Sequence, residues 1–595
     1  MAKIRTLWRA ARWLPGLLLY GPGSRRTAAD LIEGRAARTP HDVFLRFEGR
    51  EITYAEHNAA ANRIAHWALE KGIGRGDVVA LLMENRPEYL QVWGGLAKTG
   101  ATTALLNTLL SGRALSHVLE ASGCRALVLG AECVPAWEGL GAERPQDLPV
   151  YMAGEAERPG RALPPGAKNL DEEVPGYSPK NPPRSVRAEL RGRDPLFYIY
   201  TSGTTGLPKA ARFSHARFMG GGSFGLLAGL GRGDTLYCPL PLYHTVGGVM
   251  CVNAALRSGG TLALRRHFSA RHFWRDVVEM RATAFQYIGE VCRYLLAQPP
   301  DAWERRHRVR FCVGNGLRPD IWEAFQRRFQ IPDVFEFYGA TESNVAMLNL
   351  DGRPGSVGRP MPGTRVALIR YDVAAGAHPR DGNGRCIRCA EGEVGETIGR
   401  ISEGSTAAGR FEGYTSKRAT EKKVLRNVFE DGDAWFRTGD LMRRDVDGYF
   451  YFVDRTGDTF RWKGENVSTQ EVAEAITRMP GVEVGAVYGV ALPDADGRPG
   501  MAALVLEAGA SFDGAAFYAH VERALPAYAR PAFVRLQQAP DLTSTFKLRK
   551  VELQRQGFDP DVVGDPLYFR DDARRAYRPL SSDVHEWIQA GGVRF

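Results

Sequence analysis

Lysine is scarce in this chain: of 78 basic residues among 595, only 12 are lysine and the rest are arginine. That bias fits a GC-rich genome better than nucleic-acid binding. Neither a basic low-complexity tail nor a nucleic-acid-binding signature accompanies it. Cysteine is scarcer still. Eight cysteines in so long a chain cannot form a disulfide scaffold and read as reduced thiols of an intracellular protein. Cys386 and Cys389 make one C-x-x-C pair, but a structural zinc site wants about four ligands and no second pair exists. Long apolar runs are missing near the N-terminus. The run at residues 13–20 is broken by Pro15 and Gly16, whereas a membrane-spanning helix needs about 20 apolar residues. No repeat with a period of roughly 20–50 residues is visible, so a repeat architecture is not expected.

The bulk composition, 44% hydrophobic and 25% charged, is that of a soluble globular protein and excludes a disordered, collagenous or polytopic membrane chain. A chain of 595 residues exceeds one hydrophobic core, so a large multi-lobed domain plus a smaller one is expected. A net charge of +10 favours anionic partners: a membrane surface, nucleotides or polyphosphates. Before Asp30 there is no acid, only Lys3, Arg5, Arg9, Arg12, Arg25 and Arg26, interleaved with Trp8, Trp13, Leu14, Leu17, Leu18, Leu19 and Tyr20. Residues 1–30 therefore form a basic amphipathic segment with two readings. It is an interfacial anchor with Trp and Leu in the headgroup layer, or a helix packed on the domain surface. Gly21-Pro22-Gly23 fits poorly as a signal-peptide cleavage site.

Strands and helices alternate. Thr53 followed by Glu56 predicts a helix start with a capping box. The continuous apolar run 78–83 predicts a strand buried on both faces, and Pro87 opens a helix over 87–98. A helix–strand pair follows at 115–130. Further strands are predicted at 196–200, 234–238, 261–264, 284–288, 310–313 and 334–337, with helices at 270–280 and 320–329. Residues 154–194, rich in Pro, Gly and charge, read as a surface connection. The alternation predicts parallel sheets covered by helices. After about Asp454 the pattern restarts, with helices over 470–479 and 514–525 and strands over 484–490 and 501–506, a compact α+β unit.

The most informative stretch is Tyr200-Thr201-Ser202-Gly203-Thr204-Thr205-Gly206-Leu207-Pro208-Lys209, directly after a strand. Hydroxyls and glycines in tandem make a loop whose N–H groups wrap a polyphosphate, with Lys209 adding charge. A P-loop NTPase does not fit: Leu207 and Pro208 separate Gly206 from Lys209, and Ala210 follows where that motif has Ser or Thr.

The stretch resembles the phosphate loop of the adenylate-forming superfamily, which includes acyl-CoA synthetases, luciferases and peptide-synthetase adenylation domains. Other motifs agree in order. Phe337-Tyr338-Gly339-Ala340-Thr341-Glu342 resembles the adenine- and magnesium-binding motif, and Phe436-Arg437-Thr438-Gly439-Asp440 the ribose-binding motif. Asp454-Arg455-Thr456-Gly457-Asp458, leading into Trp462-Lys463-Gly464-Glu465-Asn466, resembles the hinge between two domains. Thr545-Phe546-Lys547 resembles the C-terminal catalytic-lysine motif. The sequence at 460–468, Gly314-Asn315-Gly316-Leu317-Arg318 and Gly564-Asp565-Pro566-Leu567 resemble the very-long-chain acyl-CoA synthetase and fatty acid transport protein branch. Ser343 and Ser544 depart from it, each standing where that branch usually has Gly.

The resemblance implies an α/β fold, with a large AMP-binding domain of helix-covered, mostly parallel sheets at 31–454 and a small mobile α+β domain at 455–595. It implies ATP-dependent activation of a long or very long chain fatty acid through an acyl-adenylate, then transfer to coenzyme A. Thr201 and Glu342 would hold Mg²⁺, since hard oxygens suit that ion. Thr341 would donate to the α-phosphate. Lys547 would bridge the substrate carboxylate and the α-phosphate, and His244 would lie near the acyl carboxylate. ATP would lie against Thr201, Ser202, Gly203, Thr204, Thr205, Gly206, Lys209, Gly314, Asn315, Gly316, Tyr338, Gly339 and Ala340, with Asp440 and Arg455 at the ribose. Lys463 and Gly464 would line the coenzyme A path, and Gly457 or Asp458 would be the pivot. The partners implied are a fatty acid, ATP and coenzyme A, with no nucleic acid. Monomer and homodimer both stay open, and the location is cytoplasmic, at the inner face of the membrane if the N-terminal anchor reading holds. Competing functions are a membrane-associated fatty acid uptake protein and a CoA ligase for a bile acid, sterol side chain, carnitine or aromatic acid. A peptide-synthetase module is disfavoured, because no carrier-protein signature follows Lys547.

Overall fold

Uninterrupted apolar pentads such as Val78–Leu82, buried at every position, cannot be edge strands; they belong inside a sheet covered on both faces. The computed structural model describes residues 20–154, 163–201, 207–221, 223–402, 410–492, 495, 497–540, 549–593 and 595. Val78–Leu82 is the fourth strand of a seven-stranded sheet in the order Ala167–Asn169, Val150–Ala153, Ala126–Gly130, Val78–Leu82, Thr102–Leu105, Pro195–Thr201, Lys209–Ser214. Its strands are parallel except for the last pair. A nine-stranded sheet has a parallel centre. It runs Asp333–Gly339, Phe311–Asn315, Ala284–Ile288, Thr235–Cys238, Thr261–Leu264, Val43–Phe47, with antiparallel strands at both edges. The predicted parallel sheets are therefore present.

The capping box at Thr53 and Glu56 is formed, with the Glu56 amide 3.2 Å from the Thr53 hydroxyl and the Thr53 amide 2.8 Å from the Glu56 carboxylate. Pro87 occupies the first turn of Pro87–Thr99. Two expectations need correction. The helix predicted at 270–280 is shorter, Phe273–Glu279, because the Ser269 hydroxyl accepts the His272 amide at 3.3 Å and turns the chain before the helix begins. The 154–194 connection is not all surface loop. Ala167–Asn169 adds a parallel strand at the sheet edge, and Asn169, almost fully buried, caps the Asp171 amide at 3.0 Å.

The described residues form two compact units. The first comprises the residues up to Val366 together with those of Gly399–Arg426 and Asp433–Phe436; the second, those of Ala367–Ile398, Asn427–Gly432 and Arg437–Phe595. In the second unit a five-stranded sheet, Val482–Gly489, Gly500–Leu506, Phe533–Leu536, Leu567–Asp571, Ala576–Pro579, separates two apolar cores centred on Phe517 and Val521 and on Phe533 and Phe569.

Residues 1–19, with Trp8, Trp13 and the leucine run, lie outside the described residues. From Tyr20 onward the chain belongs to the first unit. The Gly192 and Arg193 amides donate to Ser24 O and Pro22 O at 2.7 and 2.8 Å. Arg257 sits 5.3 Å from the Tyr20 ring centre. The Ala28 amide donates to Nδ1 of the fully buried His215 at 3.2 Å. No described helix is long and apolar enough to cross a membrane.

Candidate active site

The hydroxyl-rich loop joins two antiparallel strands, Pro195–Thr201 and Lys209–Ser214, and brings Thr201 opposite Lys209. Ser202, Gly203, Thr204, Thr205 and Gly206 lie outside the described residues. Tyr200 anchors the first strand, donating its buried hydroxyl to Val118 O at 2.8 Å. A distant segment, residues 412–415, lies along the second strand. The Arg212 amide donates to Gly413 O and the Thr415 amide to Ala210 O, both at 3.0 Å. Glu412 accepts from the Ser214 amide at 2.8 Å and from its hydroxyl at 2.5 Å.

This pairing puts Tyr414 between two residues of separate motifs. Its hydroxyl donates to Glu342 Oε1 at 2.9 Å and is hydrogen-bonded to the Thr201 side chain. Burial, reinforced by the Glu342 charge, pushes the Tyr414 phenol far above its ordinary value, so it stays a donor. Thr341 Oγ1 lies 2.7 Å from Thr245 Oγ1. The half-buried side chain of Arg217 donates to Thr341 O and Ser343 O, both at 2.8 Å. Ser343 tightens the same turn: its amide donates to Ala340 O at 3.0 Å, and its hydroxyl accepts the Val345 amide at 2.9 Å. The departure from glycine thus adds a hydrogen bond that glycine lacks. Thr201 and Glu342 both reach the Tyr414 hydroxyl, so their oxygens converge. Two hard protein oxygens, one of them on the strand end that leads into the hydroxyl-rich loop, suit Mg²⁺, which takes one or two carboxylates and completes its shell with water and substrate phosphate. Among the described residues no group of three or more His, Cys, Asp or Glu could hold a metal alone.

His244 precedes Thr245 at the start of a π-helical turn, Thr245–Cys251, a rare form concentrated at functional sites. Its cause is local. A Cβ on Gly248 would lie 1.8 Å from Leu242 O and one on Gly247 2.4 Å from Pro241 O, so only glycines let the turn close on residues 241–242. Asn85 holds that stretch, donating to Leu240 O and Arg265 O at 2.9 Å and accepting the Leu242 amide at 2.7 Å. Beside the turn lies a small, mainly apolar cavity of about 10 Å³, lined by Phe224, Leu236, Met250, Ala254, Phe311 and Val313.

The loop Gly314, Asn315, Gly316 leaves the C-terminal end of Phe311–Asn315. Glu336, wholly buried on the neighbouring strand, accepts from the Gly316 amide (3.0 Å), the Leu317 amide (2.8 Å) and the Tyr287 hydroxyl (2.8 Å). Burial raises its carboxyl to about 7 against the pull of those donors. Tyr338 is two residues on and shares its face of the strand. Asn315 Oδ1 is buried with no partner among the described residues, a vacant acceptor in a loop that a nucleobase amine would satisfy. A Cβ on Gly289 would lie only 1.7 Å from Gly316 O.

In the second unit, Asp440 faces Arg455 across paired strands, with Arg455 Nε 3.6 Å from Asp440 Oδ1. Their support is Glu396, fully buried. Burial alone would raise its carboxyl, but hydrogen bonds from His378 and Arg437 hold it below its ordinary value. It bonds His378 at 2.6 Å, Arg437 at 3.1 Å and the Gly439 amide at 3.1 Å. Asp454 accepts the Thr469 hydroxyl and the Arg455 amide at 3.1 and 2.8 Å. Lys550 donates to Thr469 at 2.7 Å and lies 3.7 Å from Asp458. Lys463 and Gly464, with φ of 52° and 81°, form the two-residue turn between Phe460–Trp462 and Glu465–Val467, the paired left-handed conformations of a type I′ hairpin. A Cβ on Gly464 would meet nothing within 4 Å, so the turn itself explains this glycine. Lys547 lies outside the described residues.

Arg217, Tyr414, Glu412, Glu396, His378, Asn85 and Gly289 are absent from the sequence-derived set. One signal was available for Glu336: an acid inside the apolar run 334–337 cannot be an ordinary buried-strand residue.

An AMP-binding enzyme family model matches residues 32–388, and an AMP-binding enzyme C-terminal domain model matches 471–547. The chain is 41% identical to the medium/long-chain-fatty-acid–CoA ligase FadD6 of Mycobacterium tuberculosis, covering 96% of this chain and 93% of that protein. It is 40% identical to long-chain fatty acid transport protein 2 of Rattus norvegicus, covering 95% and 90%. The solved structure of a Mycobacterium tuberculosis fatty acyl CoA synthetase superposes with a TM-score of 0.63 at 26% identity, covering 89% of this chain and 98% of that one.

Proposed function

The chain belongs to the AMP-binding enzyme family, and on that premise we propose that it is an AMP-forming ligase joining long or very long chain fatty acids to coenzyme A. The observation that carries this reading is the convergence of Thr201 and Glu342 on the Tyr414 hydroxyl, with Thr341, next in sequence to Glu342, held at Thr245. In the first half-reaction the acid's carboxylate attacks the α-phosphate of ATP and pyrophosphate leaves. Negative charge builds around phosphorus, so the work is positioning and electrostatic stabilisation. Thr341 donates to the α-phosphate, and Thr201 and Glu342 would hold the Mg²⁺ that accompanies ATP, which when bound would neutralise phosphate charge. Asn315 accepts from the adenine amine, Tyr338 offers a flat face to the ring, and Asp440 accepts from the ribose hydroxyls. Lys547 bridges the carboxylate and the α-phosphate. In the second half-reaction the thiol of coenzyme A attacks the acyl carbonyl and AMP leaves, with Lys463 and Gly464 on the approach path.

The acyl chain runs toward the small apolar cavity near Met250 and Phe311, which must widen to admit it, and His244 is the residue near the acyl carboxylate. We take 455–595 as the mobile part. Gly457 or Asp458, just past the strand Phe450–Arg455, is taken as the pivot. Residues 1–19 supply a basic, Trp- and Leu-rich contact to the cytoplasmic membrane surface, where such acids partition. The relatives named as transport proteins favour a second reading, membrane-associated uptake. Incubating the protein with ATP, Mg²⁺, coenzyme A and a panel of acids from C8 to C26 plus a bile acid separates the readings. AMP and acyl-CoA formation rising toward long chains supports the ligase; binding of oleate without AMP formation supports uptake; preference for the bile acid reassigns the substrate.

A further inference from the structure

We propose that Arg217 is the positioning residue that sets Glu342 for the divalent cation delivered with ATP, an inference that rests on the function proposed above. Arg217 lies on the helix His215–Gly221, and its two terminal nitrogens reach two carbonyls, Thr341 O and Ser343 O, each at 2.8 Å. Those carbonyls flank Glu342 on both sides. A planar fork that holds residues i−1 and i+1 fixes the backbone orientation of residue i, which a single point donor cannot do. The other contacts of the turn, from Ser343 to Ala340 and Val345, do not touch the carbonyl of residue 341.

The fork is itself held from two directions. The guanidinium lies 4.7 Å from the Phe213 ring centre. The Arg217 amide donates to the Ser214 hydroxyl at 3.2 Å, and that hydroxyl donates to Glu412. Burial pushes the guanidinium below its ordinary value, while the charges of Glu412 and Glu342 oppose that shift. A half-buried cation thus has two carboxylates as its counter-charges, one of them the proposed metal ligand. Arg217 fixes Glu342 through the backbone, and Tyr414 fixes it through Oε1. Neither contact occupies Oε2. The arrangement leaves an oriented carboxylate oxygen at the phosphate loop before ATP arrives.

The test compares the full-length protein with Arg217→Met and Arg217→Lys. ATP binding is measured by calorimetry with excess Mg²⁺ and again with EDTA, without acid or coenzyme A. In parallel, AMP formation is titrated with Mg²⁺, and thioester formation is followed from preformed acyl-adenylate. The methionine variant is expected to weaken ATP binding roughly tenfold with Mg²⁺ and less than about threefold with EDTA, the scale seen when groups supporting a metal ligand are removed. Its Mg²⁺ requirement should rise by roughly 10–100-fold while the thioester step is retained, and the lysine variant should fall between. Equal weakening with and without Mg²⁺, or equal loss in both half-reactions, overturns the proposal and leaves Arg217 a packing residue. If the methionine variant does not fold, the lysine variant decides: a wild-type Mg²⁺ dependence in it overturns the proposal. If the unaltered protein forms no AMP with any acid, the ligase reading fails, and the Mg²⁺-dependent part of ATP binding still reports on Arg217.

Discussion

Gly289 opens the helix Gly289–Ala297, and alanine there should separate nucleotide recognition from the rest of the reaction. The added Cβ would lie 1.7 Å from Gly316 O, 2.5 Å from Gly316 C and 3.2 Å from Leu317 N. All three are backbone atoms, so no flexible side chain can swing aside. Ordinary contact begins near 3.4 Å, and either the loop at Gly314, Asn315 and Gly316 or the helix start must yield by well over an ångström. Two effects compete in stability. Alanine is favoured over glycine in a helix by up to about 1 kcal/mol, while forcing atoms into a packed site costs roughly 1–3 kcal/mol. The net loss of stability should be small, about 0–2 kcal/mol. Function should suffer more, because a displacement near 1 Å in a positioning element costs up to about 100-fold. The expected result for Gly289→Ala is a KM for ATP raised at least about tenfold, with the KM for acid and coenzyme A within about twofold. Gly316→Ala is the companion. It has room, its nearest neighbour being Gly289 N at 3.8 Å, but φ is +82°, so it meets backbone strain of about 1–2 kcal/mol without the collision. A folded Gly289→Ala protein with an unchanged KM for ATP would refute the reasoning and remove the 314–316 loop from the nucleotide site.

Three further outcomes are expected. Lys547→Ala should nearly abolish adenylate formation while sparing thioester formation from preformed acyl-adenylate, because its charge is needed only while phosphorus carries extra charge; stopped half-reactions check this, and equal losses refute it. Glu336, raised to about 7 from an unfolded value near 4.5, holds an extra proton in the folded state between those values. Stability should therefore fall as pH rises through that window, by on the order of 3 kcal/mol. Glu336→Gln should lose this dependence in urea denaturation at pH 5 to 8, and a constant difference between the two proteins would sink the assignment. A protein starting at Tyr20 should lose low-salt binding to anionic vesicles yet keep turnover on a short soluble acid. One starting at Asp30 also loses the Thr27–Asp30 capping box and the Ala28–His215 bond and should be less stable by about 1 kcal/mol or more; full-length protein that ignores such vesicles ends the docking idea.

Much of this architecture was legible because its signals are local. Strands buried on both faces announce themselves as apolar runs, and Thr53 with Glu56 or Pro87 mark helix starts by chemistry confined to one turn. The 310–313 and 334–337 strands were each found within two residues of their ends. Motif order also placed Thr201, Glu342 and Asp440 in one reading. What stayed hidden acts across long separations. Arg217 meets residue 341, Tyr414 meets residue 342, and Asn85 meets residues 240 and 265. Each is a polar side chain whose partner is a carbonyl, a hydroxyl or a carboxylate supplied by tertiary packing, and nothing in its own neighbourhood in sequence requires it. Gly289 was hidden for the opposite reason: it matters through what it lacks, and only the position of Gly316 O reveals the need. The early strand at Ala167–Asn169 escaped because three residues carry no period.

The way the chain enters the fold has a mechanical consequence. At Pro22 and Ser24 it is joined to residues 193 and 192 by two backbone hydrogen bonds, then by the Ala28 amide on His215. The Ala216 amide in turn donates to Gly192 O at 2.8 Å, and a Cβ on Gly192 would lie 2.4 Å from Gly21 O. Among the described residues, a load applied at Tyr20 passes through these bonds to the helix that carries Arg217. In a single-molecule pulling experiment a handle placed at Tyr20 should therefore peel residues 20–28 before any sheet yields. The same geometry argues for placing purification tags and surface tethers at the carboxyl end, where they do not lean on His215.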